Sequence, residues 1–392
     1  MIKKKPHFTI KNNSQKGGYR YSDILTPEIL QDVCKRVTGL TEYTYEFDNS
    51  GYNKGRLAKI EYDGEIIYVS FSETKVESRN SFFQSMPTAL IAYHSDSKKR
   101  KRICFYFMPS VRNHETDYFM FMYRLMKTAG IEFLNLNKVR HTIVPFYTGD
   151  DIIAIKDKIR SRNSSNNSTY ITRNSEGITE IYGKTYGANK YESTLLCLAT
   201  SSLVKNIKLY EIVEQNLSEL PKPALDLIKS LRNIEVIPTD LTMEKKEFED
   251  NNSLRSPRFI FNLGAKLGAK KCAFCQCEVP ELIAGAHIWS VSDIKRNSRL
   301  GFVDKIKHAI NGDNGIWLCE NHHKMLDNDL LRISENGELK HLSKLDKKSI
   351  KFIKETTTII QIEKTIIDGN FARYLKERNK LIPEKNYVSL CC

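Results

Sequence analysis

Four residues constrain this chain more than any others. Cys272-x-x-Cys275 forms one close pair, and Cys319-x-x-His322 forms a second pair at the same spacing. Two such pairs can close a tetrahedral Zn2+ site from three thiolates and one imidazole. The plain alternative is a set of buried thiols without metal. The 43 residues between the pairs leave room for a hairpin and a loop. A fifth sulfur, Cys277, is one too many for a four-ligand site. It is either a spare thiol or a substitute for one of the four. Cys34, Cys104 and Cys197 stand alone in apolar settings and read as buried thiols, while Cys391 and Cys392 end the chain. In a cytosolic chain a local cluster of this kind favours metal over disulfide.

The residues around the pairs are not those of a purely structural zinc site. Ala286-His287-Ile288 is read as the end of a strand, and Asn314 is read onto a second strand that runs through GIWLC to Cys319. His323 directly follows His322 on a helix expected to begin near Glu320. Consecutive helical residues point about 100° apart, so one histidine can face the zinc and the other a groove in front of the strands. Strand, strand and helix would thus bring together His287, Asn314 and His323.

This arrangement resembles the HNH, or ββα-metal, nuclease family, over about residues 265 to 340. The resemblance implies that His287 is a general base, that Asn314 orients it or holds the metal, and that His323 holds a catalytic divalent ion, Mg2+ or Mn2+. The chemistry suits the residue types. A neutral imidazole can take a proton from water near pH 7, and a divalent cation stabilises the leaving oxyanion. The zinc would do no chemistry. It would pin hairpin to helix, on the expectation that so small a module lacks a core of its own. One position departs from the pattern. Many members carry an acidic metal ligand immediately before the first histidine, where this chain has Ala286. An Ala-His-Ile subset of the family looks like this sequence. The second protein ligand is therefore open: Asp327, four residues after His323 on the helix, is the first candidate, with Asp313 and Asn314 behind it. Without any of them the module would be degenerate.

The rest of the chain reads as α+β: an N-terminal mixed α/β DNA-recognition region followed by the zinc-stabilised ββα-metal module. Expected boundaries are 1–160 for the N-terminal domain, 170–240 for a middle α/β segment, 258–340 for the nuclease module and 341–392 for a helical extension. Thr26 and Pro27 cap a helix over 26–38, and Asp63-Gly64 turns a hairpin within 60–71. A strand follows the basic run 98–102 (KKRKR), and a helix spans 118–130. Residues 161–169 and 241–257 are polar connectors. A strand, a helix over about 188–203, a second strand and a helix near 224–231 lie between them. Trp289 and Trp317 are expected in the core, and His308 and His341 in structural roles. Asp63, Glu73 and Lys75 loosely match a second nuclease pattern, with a solvated strand end as the plainer reading.

Lysine and arginine outnumber aspartate and glutamate by 61 to 47, for a net charge of +14. That surplus attracts polyanions, though a lysine-rich proteome explains it equally well. No apolar run follows the basic start and none is long enough for a membrane span, so a cytoplasmic location without membrane partners is expected. The region from Ile181 to Leu203 also resembles stretches of HNH-type restriction endonucleases. The resemblances together imply a Type II restriction endonuclease of a phage-defence system. Its partners would be double-stranded DNA and a cognate DNA methyltransferase acting on the same site. A homodimer would let two single-strand sites cut a duplex. Ile350, Phe352, Ile353, Ile359 and Ile360 could form its contact or pack on their own module. A modification-dependent endonuclease, a homing nuclease and a zinc-stabilised DNA-binding protein with an inactive site remain open.

Overall fold

The computed structural model describes residues 5–12, 20–49, 56–72, 82–83, 85–111, 115–159, 169–174, 176–186, 190–213, 223–239 and 256–390. Two compact units are present: 1–152 with 184–207 and 220–235, and 153–183 with 208–219 and 236–392.

The first unit is built on a six-stranded mixed sheet in the order β2-β1-β3-β4-β5-β6. The strands are β1 (His7–Asn12), β2 (Thr44–Asp48), β3 (Arg56–Tyr62), β4 (Glu65–Phe71), β5 (Lys101–Tyr106) and β6 (Glu132–Leu134). Its parallel pairs, β1 with β2, β4 with β5 and β5 with β6, need crossover connections. Helices α1 (Pro27–Thr38), α2 (Met86–Ser95) and α3 (Asp117–Thr128) supply them. The start of α1 follows from its sequence: Thr26 accepts a hydrogen bond from the Ile29 amide, and Pro27 takes the first position. Asp63 and Gly64 both have positive φ, 47° and 73°, as the two-residue β3–β4 turn requires. Asp63 thus sits at the turn end of β4, whereas the described chain leaves the opposite end at Ser72; Glu73 and Lys75 lie outside the described residues. Three of the five side chains in the basic run bond within the protein, Arg100 among them through the Asp63 carbonyl at 3.1 Å. Lys101 Nζ donates to the Tyr93 carbonyl at 2.6 Å, and Arg102 pairs with Glu65 and Glu132.

Helix α4 (Gly149–Lys158) ends this first stretch. Strands β7 (Thr169–Arg173), β8 (Thr179–Gly183), β9 (Ile207–Ile212) and β10 (Ile234–Thr239) form a sheet in the order β10-β9-β8-β7. Helices α5 (Lys190–Leu203) and α6 (Pro223–Lys229) lie between them in sequence. The polar connectors at 161–168 and 241–255 lie outside the described residues.

From residue 256 onward the second unit carries α7 (Pro257–Leu267), β11 (Ile283–His287), α8 (Val291–Arg296), α9 (Phe302–Ala309), β12 (Gly315–Cys319) and α10 (Glu320–Asp327). Strands β13 (Leu331–Ile333), β14 (Leu339–Leu342) and β15 (Tyr387–Ser389) and helices α11 (Lys347–Thr356) and α12 (Gly369–Leu381) complete it. β11 and β12 pair antiparallel with His287 opposite Gly315. Two helices, rather than a loop, join them. The expectation that this module lacks a core of its own is overturned. Ala286, Ile288, Trp289, Ile294, Ile306, Ile316, Leu318 and Leu326 pack in one buried cluster with Ile353, Ile362, Phe371 and Leu375 from after residue 341. Ile353 therefore faces its own module, whereas Phe352 and Ile360 stay 50% and 37% exposed. On the other face of the hairpin Trp317 packs with Tyr170, Tyr182, Phe259 and Leu263. Among the described residues no helix is long and apolar enough to cross a membrane.

Candidate active site and metal centre

The four expected zinc ligands converge. One ligand atom from each of Cys272, Cys275, Cys319 and His322 lies within 4.8 Å of the others. The first pair sits on the turn before β11, and the second bridges the end of β12 and the first turn of α10. His322 presents Nδ1 to the sulfurs, 3.1 Å from Cys319 and 3.4 Å from Cys272. Its Nε2 lies 3.2 Å from the buried Thr357 hydroxyl. Burial lowers the His322 pKa to about 4 and pushes the Cys272 thiol up to about 12. The ring is thus neutral, as a ligand must be, and the buried Cys272 thiol is costly to ionise without a cation beside it. Three sulfurs and one nitrogen at contact distance fit Zn2+. Cys277 stands outside this set and packs against the surrounding apolar side chains.

The adjacent histidines separate as helix geometry requires. His322 is 1% exposed, while the His323 side chain is 30% exposed. His323 Nε2 lies 3.4 Å from Asp327 Oδ2, one turn along α10. That nitrogen and that carboxylate are the pair at this site that could hold a divalent cation. Ala286 cannot join it, because a methyl group has no donor atom; here it packs in the core. Asp313 is also committed elsewhere, to an ion pair with Lys266 at 2.7 Å.

His287 ends β11 with its ring stacked on Phe259 of α7, centroids 3.8 Å apart. Its Nε2 lies 2.8 Å from the Ala309 carbonyl. A carbonyl only accepts, so Nε2 carries the hydrogen and Nδ1 is left as the bare nitrogen. Desolvation, reinforced by His323 nearby, lowers the pKa to about 4, so the ring is neutral at pH 7. The stacking depends on glycine. A Cβ on Gly315, opposite His287, would meet the Phe259 ring at 2.7 Å, and one on Gly285 would meet Leu263 at 2.9 Å. Nothing in the sequence pattern marked Phe259 as part of the site.

Asn314 departs from its expected place. It ends a 3-10 turn, Gly312–Asn314, just before β12, and makes no bond to the His287 ring. Its Oδ1 accepts from the Trp289 amide at 2.8 Å, and its Nδ2 donates to the carbonyls of Trp289 and His308 at 3.0 and 3.2 Å. With both ends of the amide engaged, it is not free to hold a metal. It instead fixes the backbone beside Ala309, whose carbonyl holds the His287 ring. His308 is structural, with Nδ1 2.9 Å from the Tyr374 hydroxyl, and His341 is buried with Nδ1 3.0 Å from the Leu342 carbonyl. A cleft of about 480 Å3, lined by Lys266, Lys271, Gln276, Trp317 and Ile359 among others, includes neither His287 nor His323.

An antiparallel strand pair followed by a helix, with a histidine at the end of the first strand and another on the helix, defines a ββα-metal module. Residues 272–334 match the family described as HNH endonuclease, so the C-terminal module is an HNH-family endonuclease domain, a class that acts on DNA with divalent metal ions. No curated protein matches the chain.

Proposed function

We propose that this protein is a restriction-type endonuclease that hydrolyses double-stranded DNA at a short site, with His287 as general base. The family match carries the nuclease reading, and the bond from His287 Nε2 to the Ala309 carbonyl supports His287 as the base. It fixes one tautomer and leaves Nδ1 to accept a proton from the attacking water. The depressed pKa keeps that nitrogen unprotonated in the resting enzyme. Arrival of a DNA phosphate places negative charge beside the ring, which favours the imidazolium once it forms. Phe259 holds the ring plane, and Asn314 holds the backbone that positions it.

His323 and Asp327 would hold the catalytic ion. A bound Mg2+ or Mn2+ supplies positive charge for the phosphate and the leaving oxygen. The zinc set ties β12 and α10 to the Cys272–Cys275 turn and takes no part in the reaction. The first unit, with its separate six-stranded sheet, is the candidate for site selection. One HNH site cuts one strand, so a homodimer would serve a palindromic duplex target in the cytoplasm, with a methyltransferase protecting the same site in the host.

The test is digestion of a plasmid of known sequence with Mg2+, in methylated and unmethylated forms, followed by sequencing of the ends. A restriction enzyme gives discrete ends at one short sequence in unmodified DNA. Cutting confined to methylated DNA identifies a modification-dependent enzyme, and ends scattered without a shared sequence refute site-specific restriction.

A further inference from the structure

The geometry of the site depends on holding β11, which ends in His287, at a fixed distance from α10, which carries His323. Besides the core packing and the zinc set within the matched segment, one polar contact that does this comes from outside it. Arg378, on α12, is buried, and its guanidinium reaches both elements at once. Nη1 donates to the Ile288 carbonyl, one residue after His287, at 3.3 Å. Nη2 donates to the Leu326 carbonyl in the last turn of α10 and to the Asp329 carboxylate just beyond it. A guanidinium is a rigid planar fork, so bonds from its two arms fix the separation of their acceptors; an ammonium offers one point instead. The cation also lies at the C-terminal end of α10, where positive charge is favourable.

We propose that Arg378 is a positioning residue of the nuclease site, setting the spacing between the proton-accepting ring and the metal-holding helix. The proposal rests on the reading of His287 and His323 as the reacting pair. It makes the C-terminal extension part of the catalytic module. Displacement of a reacting group by about an ångström can cost roughly a hundredfold in rate, while substrate binding over a wide DNA surface is barely altered. The effect of losing the span should therefore fall on kcat.

Two variants separate the span from the ion pair. Arg378→Lys keeps a charge near Asp329 but cannot bridge the Ile288 and Leu326 carbonyls. Asp329→Asn removes the ion pair and leaves the bridge. Both are assayed as full-length protein on plasmid DNA, at a temperature where thermal melting and zinc content show them folded. The proposal expects Arg378→Lys to lose roughly 10- to 100-fold in kcat with KM for DNA within about twofold of wild type, and Asp329→Asn to stay within about threefold in kcat. It is overturned if Arg378→Lys keeps wild-type kcat, if its loss appears in KM, or if Asp329→Asn falls as far. His287→Ala, run alongside, separates the two readings. If it cuts like wild type, the assignment of the site has failed; if it is inactive while Arg378→Lys is not, only the positioning role has failed.

Discussion

Thr357→Val should weaken zinc binding without touching a ligand. With Nδ1 of His322 turned to the cysteine sulfurs, Nε2 carries the ring hydrogen, and Thr357 Oγ1 is its partner at 3.2 Å. Valine nearly reproduces the shape of threonine but offers no acceptor, and His322 and Thr357 are only 1% and 3% exposed. The N–H would be left buried and unpaired, at a cost of about 1–3 kcal/mol. At about 1.4 kcal/mol per decade that is roughly 10- to 100-fold in affinity, in line with other outer partners of metal-bound histidines. The assay is competition for Zn2+ against a chromophoric chelator at pH 7, with melting of the metal-free forms measured separately. Thr357→Ser should restore the affinity. A valine variant within about twofold of wild type, or a loss confined to the metal-free form, would refute the reasoning.

Cys272→Ser should lower zinc content well below one per chain, whereas Cys277→Ser should leave it unchanged; equal losses in elemental analysis would contradict the four-ligand set. Gly315→Ala should push Phe259 from the His287 ring and cost about 1–3 kcal/mol of stability together with cleavage rate, and a variant that melts and cuts like wild type would show that the contact is relieved freely. The pKa of His287 falls from the ordinary 6.5 to about 4 on folding. Its neutral form is the folded one, so its contribution to stability is full above pH 6.5 and declines as pH falls toward 4. Wild type should lose about 2 kcal/mol more than His287→Gln between pH 7 and 5 in urea denaturation, and parallel losses would count against a desolvated ring.

The features that could be read from the sequence were those set by local spacing. The cysteine and histidine pairs fix their own knuckles, Thr26-Pro27 begins a helix through its capping geometry, and Asp63-Gly64 turns a hairpin because both residues tolerate positive φ. Adjacent histidines at 322 and 323 had to diverge on a helix. What could not be read was carried by contacts between distant segments. Asn314 seemed a ring-orienting group, yet its partners are backbone atoms of Trp289 and His308, which no side-chain pattern reveals. Thr357 and Arg378 look in sequence like ordinary surface residues of a helical tail. Only the packing of that tail into the module's core brings them to the zinc ligand and the active-site backbone. Phe259 was hidden for the same reason, because its role depends on the glycine across from His287.

The central claim is that His287 accepts the proton in metal-dependent DNA hydrolysis. Single-turnover cleavage of supercoiled plasmid with Mg2+, comparing wild type with His287→Ala, tests it most directly. Wild type should cleave, and cleavage should stop with chelation of Mg2+. The variant should lose roughly 10²- to 10⁴-fold in rate, with zinc content and DNA affinity unchanged. Cleavage by His287→Ala within a few-fold of wild type would contradict the claim.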